Sequence, residues 1–300
     1  MAFNNSIELA KAYVPILDAV YKAASLTAKL DGNPDLVRAG ANANELCIPM
    51  IDMDGLADYS RNGGYVDGAV SLVYQTKACN FDRGRLFQTD VMDNLESAGV
   101  AFGQLAGEFI RTKVVPEEDA FRFASYAGFS YTPAGGSAQT PTTVAANLST
   151  GADVIAALAT AADAMTDAEV PEEDRHLFIT PTLYGLVRDL DTTKSRAVLD
   201  GFASITKVPQ SRFYSAIEQL DGTSSGETAG GYTKATGAKD LNFMVIHKAA
   251  VIQFPKHVAP KVITPEANQK ADAYAFGYRK VGIASVYANK IAGIYVHTKA

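Results

Sequence analysis

One serine in the sequence lies in a pattern that could support nucleophilic chemistry. Residues 222–226 read GTSSG, which matches the nucleophile elbow G-x-S-x-G of serine hydrolases with Ser224 as the nucleophile. That elbow needs a strand before the serine and a helix after it, because the strained turn holds the hydroxyl at a sheet edge. Here ETAGGYTKATG continues as a Gly-, Ser- and Thr-rich stretch that predicts a mobile surface loop. A serine hydrolase therefore stays only as an alternative that the context disfavours.

Other residue types that bind metals or cofactors are present without the spacing that such sites need. The four histidines show no ligand spacing with one another or with a cysteine. Asp52, Asp54 and Asp58 lie near Gly55, but a calcium loop also needs a further ligand position and a closing glutamate. Neither a P-loop nor a dinucleotide fingerprint G-x-G-x-x-G occurs. We therefore predict no catalytic, metal or cofactor site and no enzyme activity.

Length and charge limit the classes of protein to which the chain can belong. The 300 residues are 47% hydrophobic, which is enough for one large domain or two ordinary ones. The formal net charge is −6, and no cluster of Lys and Arg is present to bind phosphates. The sequence thus predicts no intrinsic affinity for nucleic acid.

The compartment can also be inferred from the sequence. The segment MAFNNSIELAKAYVPILDAVYKA lacks the basic region and unbroken apolar run of a secretory signal. No apolar stretch approaches eighteen residues, so no membrane span is predicted. Two cysteines among 300 residues fit a reducing compartment without a disulfide framework.

Alternation and turn residues predict a long β-hairpin early in the chain. ELCIPMID and AVSLVYQTKAC read as strands, with Asn62, Gly63 and Gly64 as turn candidates. Cys47 and Cys79 each lie sixteen residues from Gly63, so a hairpin without slip places them opposite one another. Arms of that length would reach roughly 53 Å at about 3.3 Å per residue, too long and thin to be stable alone.

A strand and two helices are predicted next. Residues 85–89 read as extended, and Thr89 or Asp90 can cap a helix that opens at Val91 and runs to about Lys113. The segment VVPEEDAFRFASYAG then predicts a second helix, which begins near its proline and ends at its glycine.

Three glycines, Gly99, Gly103 and Gly107, lie four residues apart on one face of the first of these helices. Two interpretations stay open: a surface that another element approaches closely, or loose packing, since isolated glycines are tolerated in helices.

A second lobe follows the Pro- and Gly-rich segment SYTPAGGSAQTPTT. In it, GADVIAALATAADAMTDAEV predicts a helix, HLFIT a buried strand, and PTLYGLVRDL another helix. From Leu241 the pattern predicts strand after strand. The chain is therefore predicted to be α+β, with a peripheral lobe assembled from two distant segments.

Two long motifs carry a resemblance to a known family. DRGRLFQTDVMDNLESAG followed by EFIRTKVVPEEDAFRFASYA resembles the signature region of tailed-phage major capsid proteins with the Hong Kong 97-type fold. The resemblance is strong over residues 81–127 and looser over residues 242–298. It implies four parts: an N-terminal arm, an extended β-hairpin called the E-loop, a peripheral P-domain with a long spine helix, and an axial A-domain.

The resemblance implies the following boundaries. The arm takes residues 1–41, the E-loop 42–88, the P-domain 89–130 and the A-domain 131–245. Residues 246–300 would return as strands of the P-domain, with the last strand either there or in the A-domain.

The resemblance also implies a use for charged residues near the hairpin. As solvated ion pairs they would each contribute under about 1 kcal/mol, so contact with a neighbouring subunit is the preferred interpretation. The predicted subunit-contact residues are Arg61, Asn62, Asp82, Arg83, Arg85, Glu117 and Glu118.

The function that the resemblance implies is structural. The chain would form hexameric and pentameric capsomers of an icosahedral virion capsid, assembled in the bacterial host cytoplasm. The shell would enclose double-stranded DNA without sequence-specific binding, with portal and scaffolding proteins as partners. An encapsulin-like nanocompartment shell stays as an alternative.

Overall fold

The computed structural model describes residues 25–32, 38–39, 45–91, 106–133, 136–190, 192–269 and 271–300. The strands are β1 Arg38–Ala39, β2 Glu45–Met53, β3 Val70–Ala78, β4 Phe81–Asp90, β5 Thr142–Ala145, β6 Arg175–Ile179, β7 Ser204–Lys207, β8 Ile217–Leu220, β9 Gly231–Lys234, β10 Leu241–His247, β11 Val251–Ile263, β12 Ala273–Val286 and β13 Ile294–Thr298. The α-helices are α1 Val115–Ala127, α2 Gly151–Asp167, α3 Pro181–Leu190 and α4 Thr193–Asp200. None of the helices within the described ranges has the length and apolar character needed to cross a bilayer.

Strands β2 and β3 form the predicted hairpin. Their antiparallel ladder runs from the Glu45–Ala78 pair to the Met53–Val70 pair. The turn falls at residues 61–63, closed by a bridge between Ser60 and Gly64, so the predicted turn is confirmed.

The predicted register of this hairpin is wrong by three residues. Cys47 pairs with Thr76 and not with Cys79, which lies beyond the end of β3. Gly64 takes a left-handed conformation, with φ of 77°, at the closing position of the turn. The turn therefore centres on Asn62 instead of Gly63, and the irregular stretch between turn and ladder adds a further offset.

A three-stranded sheet with the order β11-β12-β4 continues from the hairpin. Strand β12 pairs antiparallel with β4 from Ala273–Asp90 to Gly282–Phe81. A helix covers one face of this sheet, where Ile110 and Val115 pack in one apolar cluster with Phe276 and Tyr278. The motif that carries the family resemblance thus forms one sheet-and-helix unit with a strand about 190 residues later.

The predicted break between two helices is corrected by the structure. A π-helical turn at Ile110–Val114 runs without interruption into α1, so the backbone stays helical through Pro116. Proline lacks an N–H and its ring crowds the carbonyl of Thr112 four residues earlier, and the wider π-helical turn accommodates that crowding. The helix ends at Gly128 as predicted, where the glycine N–H donates to the Ala124 carbonyl at 2.9 Å.

The glycine row falls mostly outside the described residues, because Gly99 and Gly103 both lie there. Gly107 is described, and apart from its chain neighbours and the backbone of its own helix, no heavy atom of the described residues lies within 4 Å of the point where a Cβ would be. At this one position the structure therefore gives no support to a close approach.

The second lobe is a five-stranded sheet with the order β5-β13-β10-β6-β7. Strand β10 pairs antiparallel with β13 and β6, whereas β5 and β7 join their neighbours in parallel. Helices α2 and α3 cover one face through residues such as Leu158, Met165 and Leu183. On the other face Phe123 of α1 packs edge-on against Phe178 and Phe213. The last strand lies in this sheet, while the domain boundaries themselves stay a prediction.

The Gly-, Ser- and Thr-rich stretch after β8 is more ordered than predicted. Residues Gly231–Lys234 form β9, which pairs antiparallel with β8 to make a second hairpin. The Tyr232 hydroxyl donates to the Ser211 carbonyl at 2.8 Å, and burial raises the pKa of Tyr232 to about 12. Tertiary anchors of this kind override the loop composition, so the prediction of a mobile loop is wrong for residues 231–234.

Candidate functional site

The β2–β3 hairpin presents an apolar face to solvent. Residues two apart on a strand share a face, so Ile51 and Met53 lie on the same side as their partners Leu72 and Val70. These four side chains are between 52% and 73% exposed. An antiparallel ribbon normally turns its apolar face toward a core. In the described residues of this chain no core covers that face.

The apolar surface continues to the tip of the hairpin. Leu56, Tyr59, Tyr65 and Val66 are all exposed, and Leu56 is as exposed as in an open chain. The rings of Tyr59 and Tyr65 contact each other with centroids 4.9 Å apart. We call the eight exposed apolar residues of the two patches the ribbon surface: Ile51, Met53, Leu56, Tyr59, Tyr65, Val66, Val70 and Leu72.

Two of the predicted subunit-contact residues lie beside this surface. Arg61 and Asn62 occupy the turn and are exposed. They are therefore free of the body of the subunit and available to a neighbour, although a contact itself stays a prediction.

The charged residues of β4 bind partners within their own chain. Asp82 accepts two hydrogen bonds from Arg279, at 2.9 and 2.7 Å, and these bonds lower the pKa of Asp82. Arg83 donates from Nε to Glu117 at 2.7 Å. Arg85 donates to the carbonyl of Thr228 at 3.0 Å. Each charge thus has an intramolecular role in addition to any role at an interface.

Glu118 is a correction to the predicted contact set. The residue is only 4% exposed, and its carboxylate binds Arg122 at 2.7 Å and the buried ammonium of Lys280. Burial raises the pKa of Glu118 to about 7, against the opposing effect of Arg122. A side chain so enclosed has no surface to offer a neighbouring subunit, because the helix turns it toward the sheet and not toward solvent.

Asp119 is an anchoring residue that the sequence analysis missed. Its fully buried carboxylate accepts hydrogen bonds from the Leu26 and Thr27 amides and from the hydroxyls of Ser25 and Thr27. Arg212 pairs with it at 3.4 Å. The carboxylate therefore fastens residues 25–27 to helix α1. No local feature of the sequence distinguishes it from the neighbouring acids Glu117 and Glu118.

Ser224 does not have the setting of a hydrolase nucleophile. It lies in the exposed turn between β8 and β9, where the helix required after a nucleophile elbow is replaced by a strand. Its hydroxyl donates to Asp221, whose carboxylate also accepts from the amides of Thr223 and Ser224. These bonds hold the pKa of Asp221 far below its usual range. The motif is a structured turn.

Asp54, one of the aspartates near Gly55, has a structural contact within the hairpin. It closes the hairpin ribbon by accepting from the Ala69 amide at 2.8 Å. Across the described ranges no group of three or more His, Cys, Asp or Glu side chains could hold a metal ion.

Comparison with solved structures identifies the fold. The chain is similar to a structure from Gordonia phage Cozz, with a TM-score of 0.59 and 14% identity, over 92% of this chain and 86% of that one. It is also similar to the capsid structure of cyanophage P-SCSP1u, with a TM-score of 0.54 and 17% identity, over 88% and 85%. The chain has the fold of tailed-phage capsid proteins. The resemblance seen in the sequence is thereby confirmed for the fold.

A virus-like particle shares this capsid fold with the phage structures. The particle from Pyrococcus furiosus matches with a TM-score of 0.54 and 11% identity, over 95% of this chain and 99% of that one. No protein-family model and no curated protein matches the sequence. Comparison of structures therefore identifies the capsid fold at identities where no family model and no curated protein matches.

Two signals in the sequence correctly predicted the hairpin that carries the ribbon surface. The turn residues around Asn62 predicted the tip of the hairpin, and alternation predicted both of its strands. The ribbon surface itself was missed, because a strand pattern says which residues share a face but not whether that face is covered.

Proposed function

We propose that this chain is a structural, non-enzymatic protein: the major coat protein of a tailed phage or prophage, which self-assembles into an icosahedral shell. One observation carries the proposal, namely the uncovered ribbon surface on the β2–β3 hairpin, which forms a sheet separate from those of the rest of the subunit. Soluble monomers rarely expose contiguous apolar patches of this kind, and such patches mark interaction sites. The occupant that a shell provides is another copy of the same chain.

Burial of the ribbon surface supplies the driving force for association. Each aliphatic side chain that moves from full exposure to full burial contributes on the order of 1.5–3 kcal/mol. Association must offset lost rigid-body freedom, estimated at about 4–15 kcal/mol, so one or two such contacts would not suffice. Eight exposed apolar residues on one hairpin supply a gain of the required size.

Polar residues at the tip would then set the register of neighbouring copies. Arg61 and Asn62 are placed to make hydrogen bonds at the edge of the apolar contact, where charges influence specificity more than affinity. Asp82 and Arg85, which are exposed, and Arg83 and Glu117, which are partly buried, complete the proposed contact set.

The remaining partners follow from the proposed shell. Copies would associate as hexameric and pentameric capsomers, with portal and scaffolding proteins, in the host cytoplasm. The net charge of −6 gives the shell no affinity for DNA, so double-stranded DNA would be enclosed without sequence-specific binding. A separate motor would have to fill such a shell.

The proposal is tested by assembly of the purified full chain. We expect large closed particles or capsomer rings in negative-stain electron microscopy and in sizing. The variant Leu72→Asp should keep the subunit folded and raise the concentration needed for assembly about tenfold or more, since about 1.4 kcal/mol is tenfold. The matched control is Leu190→Asp, which changes another exposed leucine, on α3. A chain that stays monomeric at all salt and protein concentrations, with scaffold present, would contradict the proposal.

An encapsulin-like compartment is the second candidate, favoured by the match to the Pyrococcus furiosus virus-like particle over nearly all of both chains. The two candidates differ in cargo. Particles from the native source should be treated with nuclease and protease before their contents are released. Protected double-stranded DNA supports the phage shell, and a protected protein supports the compartment.

A further inference from the structure

Two arginines of β4 reach across to a hairpin that lies more than 130 residues later in the chain. That hairpin, residues 217–234, consists of β8, β9 and the turn between them. Strand β4 begins at Phe81, directly after the return strand of the E-loop hairpin ends at Ala78. The contacts therefore join the root of the E-loop to the 217–234 hairpin.

Arg83 binds three elements at once. Its Nε donates to the Glu117 carboxylate on α1 at 2.7 Å. Its Nη2 donates to the carbonyls of Leu220 on β8 and Gly231 on β9, at 2.8 and 3.0 Å. One guanidinium thus ties both strands of the hairpin to the helix, and its fixed fork of donors suits this task.

Arg85 lies against two glycines of the turn. A Cβ on Gly222 would lie 2.6 Å from Arg85 Nη1, and one on Gly230 would lie 3.2 Å from it. Both glycines have positive φ, 76° and 65°, which side chains rarely adopt. From this position Arg85 donates to the Thr228 carbonyl at 3.0 Å. The turn is therefore shaped to receive the guanidinium.

Packing alone does not hold this part of the hairpin in place. A cleft of about 760 Å³ lies between β4, the π-helical turn and the hairpin. Tyr232, next to Gly231 on β9, binds Ser211, and Lys234 at the open end of the hairpin binds Asp240. Nearer the turn of this hairpin, Arg83 and Arg85 reach from β4 across the cleft to the backbone carbonyls.

We propose that Arg83 and Arg85 are positioning residues that clamp the 217–234 hairpin onto β4 and so fix the direction in which the E-loop leaves the body. The clamp itself is a property of the folded subunit. Its consequence for shell geometry rests on the proposed function.

Hydrogen exchange measured by mass spectrometry on the full chain tests the clamp. In the double variant Arg83→Ala/Arg85→Ala, amides of residues 217–234 should exchange about tenfold or more faster, because hydrogen bonds to charged groups are lost. Arg83→Lys should also accelerate exchange, since an ammonium keeps the charge but lacks the fork that reaches both carbonyls. Arg188→Ala removes an exposed arginine on α3 and should leave exchange in the hairpin unchanged. Unchanged exchange in the double variant would overturn the proposal.

A global loss of structure is separated from a local release by the amides of β10, which is buried throughout its first six residues. If β10 also exchanges faster in the double variant, the single variant Arg85→Ala replaces it as the test. Arg85 is exposed, and its truncation leaves Arg83 and the glycines of the turn in place, so faster exchange confined to residues 221–230 supports the clamp. No change in Arg85→Ala would contradict it.

The assembly consequence is measured separately. Particles of Arg83→Lys should show a broader distribution of diameters than unmodified particles, with Arg188→Ala as control. If the unmodified chain forms no particles, the proposed function fails while the exchange result still stands. If particles form and the variant's diameters match the control's, the clamp does not set the direction of the E-loop.

Discussion

At the scale of single residues, His297 links stability to pH. The side chain is 2% exposed, stacks on Phe243 with centroids 4.8 Å apart, and has its Nδ1 3.0 Å from the side-chain amide nitrogen of Asn242. Burial of this kind favours the neutral ring over the charged one. Burial lowers the pKa of His297, and the same cause lowers the pKa values of His176 and His247.

The sign of the pH effect follows from these lowered pKa values. In the unfolded chain a histidine titrates near 6.5, whereas the folded chain holds these rings neutral to lower pH. At these histidines the unfolded state therefore binds more protons below about pH 6.5, and their contribution to the free energy of unfolding falls as pH falls through that range. Glu118, whose pKa burial raises to about 7, contributes with the opposite sign over the same range. The histidine contribution is therefore measured as the difference between a histidine variant and the unmodified protein in denaturant unfolding at pH 5.5 and pH 7.5.

His297→Gln should reduce this pH dependence without removing it, because His176 and His247 remain. The matched control is His257→Gln, which makes the same chemical change at an exposed histidine on β11. Equal pH dependence in the His297→Gln variant and the unmodified protein would show that the ring does not titrate with unfolding.

At the scale of elements, the register of the E-loop hairpin can be tested by chemistry. The Cys47 sulfur lies 3.8 Å from the Thr76 hydroxyl, on facing positions of β2 and β3. Facing residues of antiparallel strands have Cα atoms about 4.5–5.5 Å apart, within the range that a disulfide spans. We expect Thr76→Cys in a Cys79→Ala background to form an intramolecular disulfide with Cys47 under mild oxidation, detected as a loss of two hydrogens by mass spectrometry.

The comparison for this experiment is the unmodified chain. Its two cysteines are free, and Cys79 is buried in a separate apolar cluster beside Ile252 and Ile283. It should stay reduced within the subunit under the same treatment. Ready pairing of Cys47 with Cys79 would instead support the symmetric register.

The hairpin also shows which structural features can be predicted from the sequence alone. Both strands and the turn were predicted, because alternation and the Asn-Gly-Gly signal are local. The three-residue error in register arose where Gly64 closes the turn and where the stretch toward the ladder loses regular pairing. Helix α1 was predicted to begin separately because Pro116 usually marks a first helical position, and the π-helical turn that absorbs it leaves no local signal.

Contacts between residues far apart in the chain could not be predicted from the sequence. The partners of Arg83 and Arg85 lie on a segment whose composition predicts a loop, and nothing local reveals that two arginines order it. Glu118 and Asp119 looked alike as acids in a first helical turn. Only the fold shows that Lys280 neutralises one and that residues 25–27 bind the other.

At the scale of the whole molecule, the balance of forces predicts how assembly depends on temperature. The proposed contact buries the apolar ribbon surface, and hydrophobic association weakens on cooling. We expect assembly to require a higher subunit concentration near 4 °C than near 30 °C, with a negative heat-capacity change in calorimetry. Light scattering at both temperatures measures the concentration threshold.

The same experiment includes a test against a charge-driven alternative. At physiological ionic strength, salt largely screens the interaction between exposed charges that are more than about 8–10 Å apart. Assembly that depends steeply on salt and not on temperature would assign the main role to the ion pairs around β4. Leu72→Asp should then behave like its Leu190→Asp control.

The place of strand β13 has a consequence for the timing of synthesis. This strand lies between β5 and β10, inside the five-stranded sheet, although it follows every other described strand in the chain. A ribosome releases residues in order, so β5 has no neighbour to pair with until residues 294–298 emerge. A chain that is broken off earlier lacks a strand from the interior of its sheet. Such fragments would not fold completely and would be degraded by proteases. A growing shell would therefore not incorporate them.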